Sequence, residues 1–199
     1  RIIVALADNT HQGIVPIPAK LGNGQDPRNN LYWGALYGVR THFSRSKHWT
    51  VLKALPKFSA PVLSAIGFAH PNAGAPKILV SAEAWDGAFM TEALQAFYDT
   101  LDDVNGADLT IFVGHNGLMD RLNVSIPNVT ATTKASNQTK VRSAMVFACA
   151  SGSYFNDDVS KLGVKPLVTT RGLMAPEAYS IEPAIRAWAS GQTDDAVRQ

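Results

Sequence analysis

Short apolar runs that stop abruptly at small and polar residues constrain this chain most. Ser143 to Phe147 (SAMVF) is long enough for a buried strand and too short for a helix. It leads into Ala148-Cys149, which holds the only cysteine, and then into Ala150, Ser151, Gly152 and Ser153. Leu109 to Val113 (LTIFV) ends in the same manner, at Gly114-His115-Asn116-Gly117. Ile2 to Ala7 is apolar at every position, the mark of a central parallel strand covered on both faces. Strands alternating with helical periodicities predict a layered α/β domain, one unit over residues 1–199, with a mainly parallel sheet.

Between these runs the chain reads as follows. Asp8 to Arg28 is rich in Gly, Pro, Asn and Asp and is predicted to be a long functional loop. Leu31, Ala35, Val39 and Phe43 repeat every four residues, which predicts a helix over Asn30–Phe43. Trp49–Leu55 is a candidate strand. Pro61–His70 and Lys77–Trp85 are strand-like and joined by the turn-formers of Pro71–Pro76; they either form a β-hairpin over 61–85 or lie apart in the sheet. A helix is expected over Ala88–Leu101, stopped at Asn105-Gly106. Asn123–Lys140 reads as a solvated loop, with room for a short helix near its end. It carries N-x-Ser/Thr triplets at Asn123, Asn128 and Asn137, which arise easily by chance in so polar a segment. Val164–Thr170 is another strand. Ser180 is placed to cap a last helix through Trp188, with Pro183 in its first turn, and Asp194–Gln199 reads as a polar tail.

Composition narrows the function classes. A net charge of +2 with no Lys/Arg block makes nucleic acid and anionic membranes poor partners. No apolar run approaches the ~20 residues needed to span a bilayer. One cysteine excludes an intrachain disulfide and cysteine-rich zinc sites. No HExxH spacing and no P-loop glycine pattern occurs, so no cofactor is expected. The chain opens at Arg1 directly on a strand, with no leader in view; export to the periplasm or the exterior is the expectation. The oligomeric state is left open.

The chemistry sits at the strand ends, where open α/β sheets place their ligands. Cysteine attacks as thiolate and needs a neighbouring base or cation, for which histidine is the usual choice. His115 and Cys149, each just beyond its own strand, fit a nucleophilic pair. The oxyanion that forms needs backbone N–H donors, and Gly117 and Cys149 are the natural ones. By residue type alone, a lone cysteine here is also an ordinary small core residue, and a strand-end histidine an ordinary surface or capping residue.

The segments LTIFVGHNG (109–117) and AMVFACASGSYF (144–155) resemble those of the caspase-like (legumain–gingipain–caspase) cysteine peptidases. The second is most similar to legumain, whose segment also runs Ala-Cys-x-Ser-Gly-Ser-x-Phe. GNGQDPRNNLYWGALYGV and TTRGLMAPEAY look like an uncharacterised bacterial group of this general type. The resemblance implies a three-layer caspase-like sheet and a hydrolase of peptide or amide bonds, acting on a peptide or protein. It implies His115 as base, Cys149 as nucleophile, Gly117 at the oxyanion hole and Asn9 orienting the histidine. Asp8, His11, Asn116, Ser151 and Arg171 are the candidate substrate-binding residues. Arg171 would pair an acidic group, and Asp8 or Asp120 a basic one.

Two departures favour an alternative, a non-catalytic peptide-binding or scaffold module on the same fold. Asn116 separates His115 from Gly117, and Phe147 stands where legumain has an acidic residue. A glutaminase-type transferase is a third reading, but its Gly-x-Cys-x-Gly elbow is missing: Phe147 and Ser151 hold the glycine positions.

Overall fold

The computed structural model describes residues 1–52, 60–70, 78–103, 105–127 and 141–199. Its strands are β1 (Ile2–Ala5), β2 (Thr50–Val51), β3 (Val62–His70), β4 (Ile78–Trp85), β5 (Leu109–Val113), β6 (Ser143–Phe147) and β7 (Lys165–Thr169). They form a seven-stranded sheet in the order β2-β3-β4-β1-β5-β6-β7. β1 runs parallel to β4 and β5, and β5, β6 and β7 continue in parallel. β3 pairs antiparallel with both β2 and β4, so of the two readings of residues 61–85 the antiparallel pair holds.

The helices are α1 (Val39–Arg45), α2 (Met90–Asp102, entered through a 3₁₀ turn at Gly87–Phe89), α3 (Gly152–Lys161), α4 (Ala178–Ala189) and α5 (Asp194–Arg198). The pleat of β1 sorts the two cores. Ile2 and Val4 face one cluster, with Val39 and Phe43 of α1, Ile181 and Ile185 of α4 and Val197 of α5. Ile3 and Ala5 face the other, with Leu94 and Phe97 of α2 and Phe155 and Val159 of α3. The result is an α/β sandwich of three layers, with β1, β5 and β6 buried on both sides. Each large apolar side chain so buried contributes about 1.5–3 kcal/mol. No helix among the described residues is long and apolar enough to cross a membrane.

Three sequence expectations change. Residues 31–38 form tight turns, and only Val39–Arg45 is α-helical. Asn30 starts the turns: its side chain bonds both the amide and the carbonyl of Ala7, and accepts from the Tyr32 amide. A Cβ at position 34 would lie 2.0 Å from the Arg28 carbonyl oxygen, so only glycine permits this close return of the chain. The last long helix begins at Ala178 rather than at Ser180, which puts Pro183 in its second turn. The polar tail contains α5, capped by the Thr193 hydroxyl and anchored where Arg198 Nε donates to the Leu167 carbonyl at 2.8 Å. Residues 53–55 of the candidate strand, the 71–76 turn, the Asn128 and Asn137 triplets and a helix near residue 140 lie outside the described residues.

The strand order also locates the rim that matters. From β1 the chain runs to the edge strand β2, comes back through β3 and β4 to the near side of β1, and then crosses to β5 on the other side, so the connections leaving β1 and β5 head in opposite directions. Crevices form outside the carboxyl ends of strands at such a reversal.

Candidate functional site

Four connections leave the carboxyl ends of β1, β5, β6 and β7, and together they enclose a cleft of about 470 Å³. The loop after β1 contributes Gly13, Ile14, Val15, Ile17, Leu31 and Tyr32. Gly114, His115 and Met119 come from the connection after β5, and Cys149 from that after β6. Leu173, Met174 and Ala175 close it from the segment after β7. β5 and β6 are neighbours in register, Val113 opposite Phe147, which delivers His115 and Cys149 side by side to one rim.

His115 is largely buried, and its Nε2 lies 2.6 Å from Asp120 Oδ2. The partner is local in sequence because residues 115–122 fold back on themselves. The amides of Met119, Asp120 and Leu122 reach the carbonyls of Asn116, Gly117 and Gly117. With Nε2–H donating to the carboxylate, Nδ1 is the nitrogen left to accept a proton, and it has no partner among the described residues. A carboxylate behind an imidazole fixes its orientation and tautomer.

Cys149 is a free, half-buried thiol. Its Sγ accepts from the Met174 amide and faces the Met174 carbonyl, each at 3.4 Å. No hydrogen bond joins it to His115. Ala150, next in the chain, has φ of 47°, the left-handed region that costs a β-carbon about 1–2 kcal/mol. Its amide is held by the Gly172 carbonyl at 2.8 Å. Strain of this kind clusters at functional positions. The amide of Cys149 itself has no acceptor among the described residues.

Tyr32, which is not among the sequence-predicted site residues, also lines this cleft. Burial pushes its phenol up to about 12, with the charges of Cys149 and Glu177 adding to the effect. It therefore stays a neutral donor at ordinary pH. Its location depends on the turn at residues 30–38, which hydrophobic periodicity alone does not reveal.

Several sequence-predicted site residues hold the architecture instead. Asn9 does not orient His115: its amide nitrogen donates to the Ile17 carbonyl at 2.7 Å and its oxygen accepts the Ile17 amide, and Asp120 takes the place beside the imidazole. Gly117 faces away from the cleft, since a Cβ there would meet Leu122, Met90 and Leu94; its amide is bonded to the His115 carbonyl. Asn116 is fully buried, and its side chain donates to the Cys149 carbonyl at 2.7 Å. Ser151 is fully buried too, its hydroxyl bonded to the Val146 carbonyl and the Thr170 amide. Arg171 is exposed and does not line the cleft.

Asp8 and His11 form a separate knot beneath the loop. Asp8 is buried, His11 Nδ1 lies 2.9 Å from its carboxylate, and Gln25 bridges it to Asp86 at 2.9 and 2.7 Å. Burial alone would raise the Asp8 carboxyl, but donors from Gln25, His11 and Thr10 outweigh it and hold the group below the usual carboxylate range. Among the described residues no group of three or more His, Cys, Asp or Glu is placed to hold a metal ion.

The fold and cleft thus define an α/β protein of three layers, with a thiol and a carboxylate-backed imidazole at the carboxyl rim of its sheet. Set against family models, curated proteins and solved structures, the chain matches none.

Proposed function

We propose that this protein is a cysteine hydrolase of the caspase-like type, cleaving peptide or amide bonds with Cys149 and His115. One observation carries the reading: both side chains line one cleft at the carboxyl rim, with His115 Nε2 held by Asp120 at 2.6 Å. The Cys149 proton passes to His115 Nδ1, and the sulfur attacks the substrate carbonyl carbon. A C–S bond forms and the carbonyl oxygen becomes an oxyanion, for which the Cys149 amide is the proposed donor. Collapse expels the amine, which leaves with the proton from His115. Water then attacks the thioester and gives a proton to His115. The C–S bond breaks, and that proton returns to the sulfur as the carboxylic acid departs.

The Met174 amide, bonded to Sγ, supports negative charge on sulfur before attack. The test is alkylation of Cys149 by iodoacetamide at neutral pH together with hydrolysis of a mixed peptide substrate. Cys149→Ala should abolish both. His115→Ala should slow both, hydrolysis by about 10²–10⁴-fold. An inert thiol in the folded protein, or a thiol equally reactive without His115, overturns the proposal.

A second reading, a peptide-binding module, is favoured by one feature. The sulfur is bonded to the Met174 backbone on both sides and not to the imidazole. Peptide binding that survives Cys149→Ala, with no hydrolysis by the parent protein, would support it.

A further inference from the structure

The cleft around Cys149 carries a chemical preference of its own. Ile14, Ile17, Leu31, Met119 and Leu173 wall it, and among the described residues no Lys, Arg, Asp, Glu, Asn or Gln lines it. Of the charges around it, Asp120 is bonded to His115 and to the Gly13 amide, Asp8 is bonded to Gln25, His11 and Thr10, and Glu177, whose charge reaches Tyr32, does not line the cleft. A charged or amide side chain entering this space would lose water and meet no polar side chain beyond the Tyr32 phenol and the His115 ring. At about 470 Å³ the cleft lies within the range of small-ligand pockets and is roomy enough for a large side chain.

We propose that this cleft receives the side chain of the substrate residue whose carbonyl Cys149 attacks. It selects a large apolar side chain, such as Leu, Met or Phe, over Asp, Asn, Arg or Lys. The inference rests on the hydrolase reading and adds the substrate class to it. The neutral phenol of Tyr32 agrees with it, since that group offers a donor and no anion to a basic side chain. Leu173, at 81% exposure, sits at the rim, where substitution leaves the core untouched.

The test uses peptidyl acyloxymethyl ketones that differ only in the residue next to the ketone. Cys149 Sγ forms a C–S bond to the methylene carbon as the carboxylate leaves, and mass spectrometry of the intact protein gives the rate. The Leu and Phe probes should label at least about tenfold faster than the Asp, Asn and Arg probes, the scale on which apolar pockets discriminate. Leu173→Asp should shift the Arg-to-Leu rate ratio by about tenfold in favour of Arg, through a new carboxylate at the rim. A parent protein that takes Asp, Asn or Arg probes as fast as Leu overturns the preference and leaves the hydrolase standing. An unchanged ratio in Leu173→Asp overturns the assignment of this cleft to that side chain. If no probe reacts while iodoacetamide labels Cys149 independently of His115, the hydrolase reading falls and the preference falls with it.

Discussion

The side-chain amide of Asn116 donates to the carbonyl of Cys149 at 2.7 Å, and so binds the histidine connection to the cysteine connection across two adjacent strands. The same side chain accepts from the Leu118 amide at 3.2 Å and begins the turn that brings Asp120 under His115. Asn116→Leu should cost about 2–3 kcal/mol, because it strips a buried carbonyl and a turn amide of their partner. Urea denaturation measures this. Thiol labelling in the folded variant should lose its dependence on His115, as the two connections are no longer tied.

Asp120 is partly exposed, and its job lies in holding His115 rather than in packing. Asp120→Asn should change stability by no more than about 0.5 kcal/mol. It should lower kcat by on the order of 10²-fold or more, with little change in KM, because the imidazole loses its fixed tautomer. An Asp120→Glu variant that restores part of the rate separates positioning from simple charge.

Asp8 ties stability to pH. Its carboxyl is held below the ordinary value in the fold, so the unfolded chain binds the proton more readily. The stabilisation is complete above the unfolded-state value of about 3.9, and is lost as pH falls through the lower folded-state value. Thermal melts between pH 6 and pH 3 should show the loss, and Asp8→Asn should flatten that acid limb while lowering stability at pH 6.

Ala150 follows Cys149 with φ of 47°. Ala150→Gly removes the β-carbon penalty and should stabilise the protein by about 0.5–1 kcal/mol, after allowing for the freer unfolded chain. If the strain aims the thiol, hydrolysis falls even as the melting temperature rises.

The parallel strands were plain in the sequence because β1, β5 and β6 are buried on both faces and so carry unbroken apolar runs. That the runs ending in His115 and Cys149 would stand side by side was not written there, since pairing is a long-range outcome. Residues 30–38 misled because Leu31, Ala35 and Val39 keep helical spacing while Asn30, Gly34 and Gly38 impose turns. Those two glycines were the available signal. Asn9, Asn116 and Ser151 look like ligand binders by residue type. The backbone groups they satisfy, at Ile17, Cys149, Val146 and Thr170, become visible only once the loops are folded. Asp120 was legible only as a charge, because its role depends on a turn of six residues.

The peptide groups of Met174 hold Sγ from two directions, and Leu173 beside them stands almost wholly in solvent. The thiol therefore rests clasped by a surface segment that has little burying it at that point. The aim of the sulfur therefore follows the position of residues 172–175, and whatever displaces that surface segment re-aims the thiol with it.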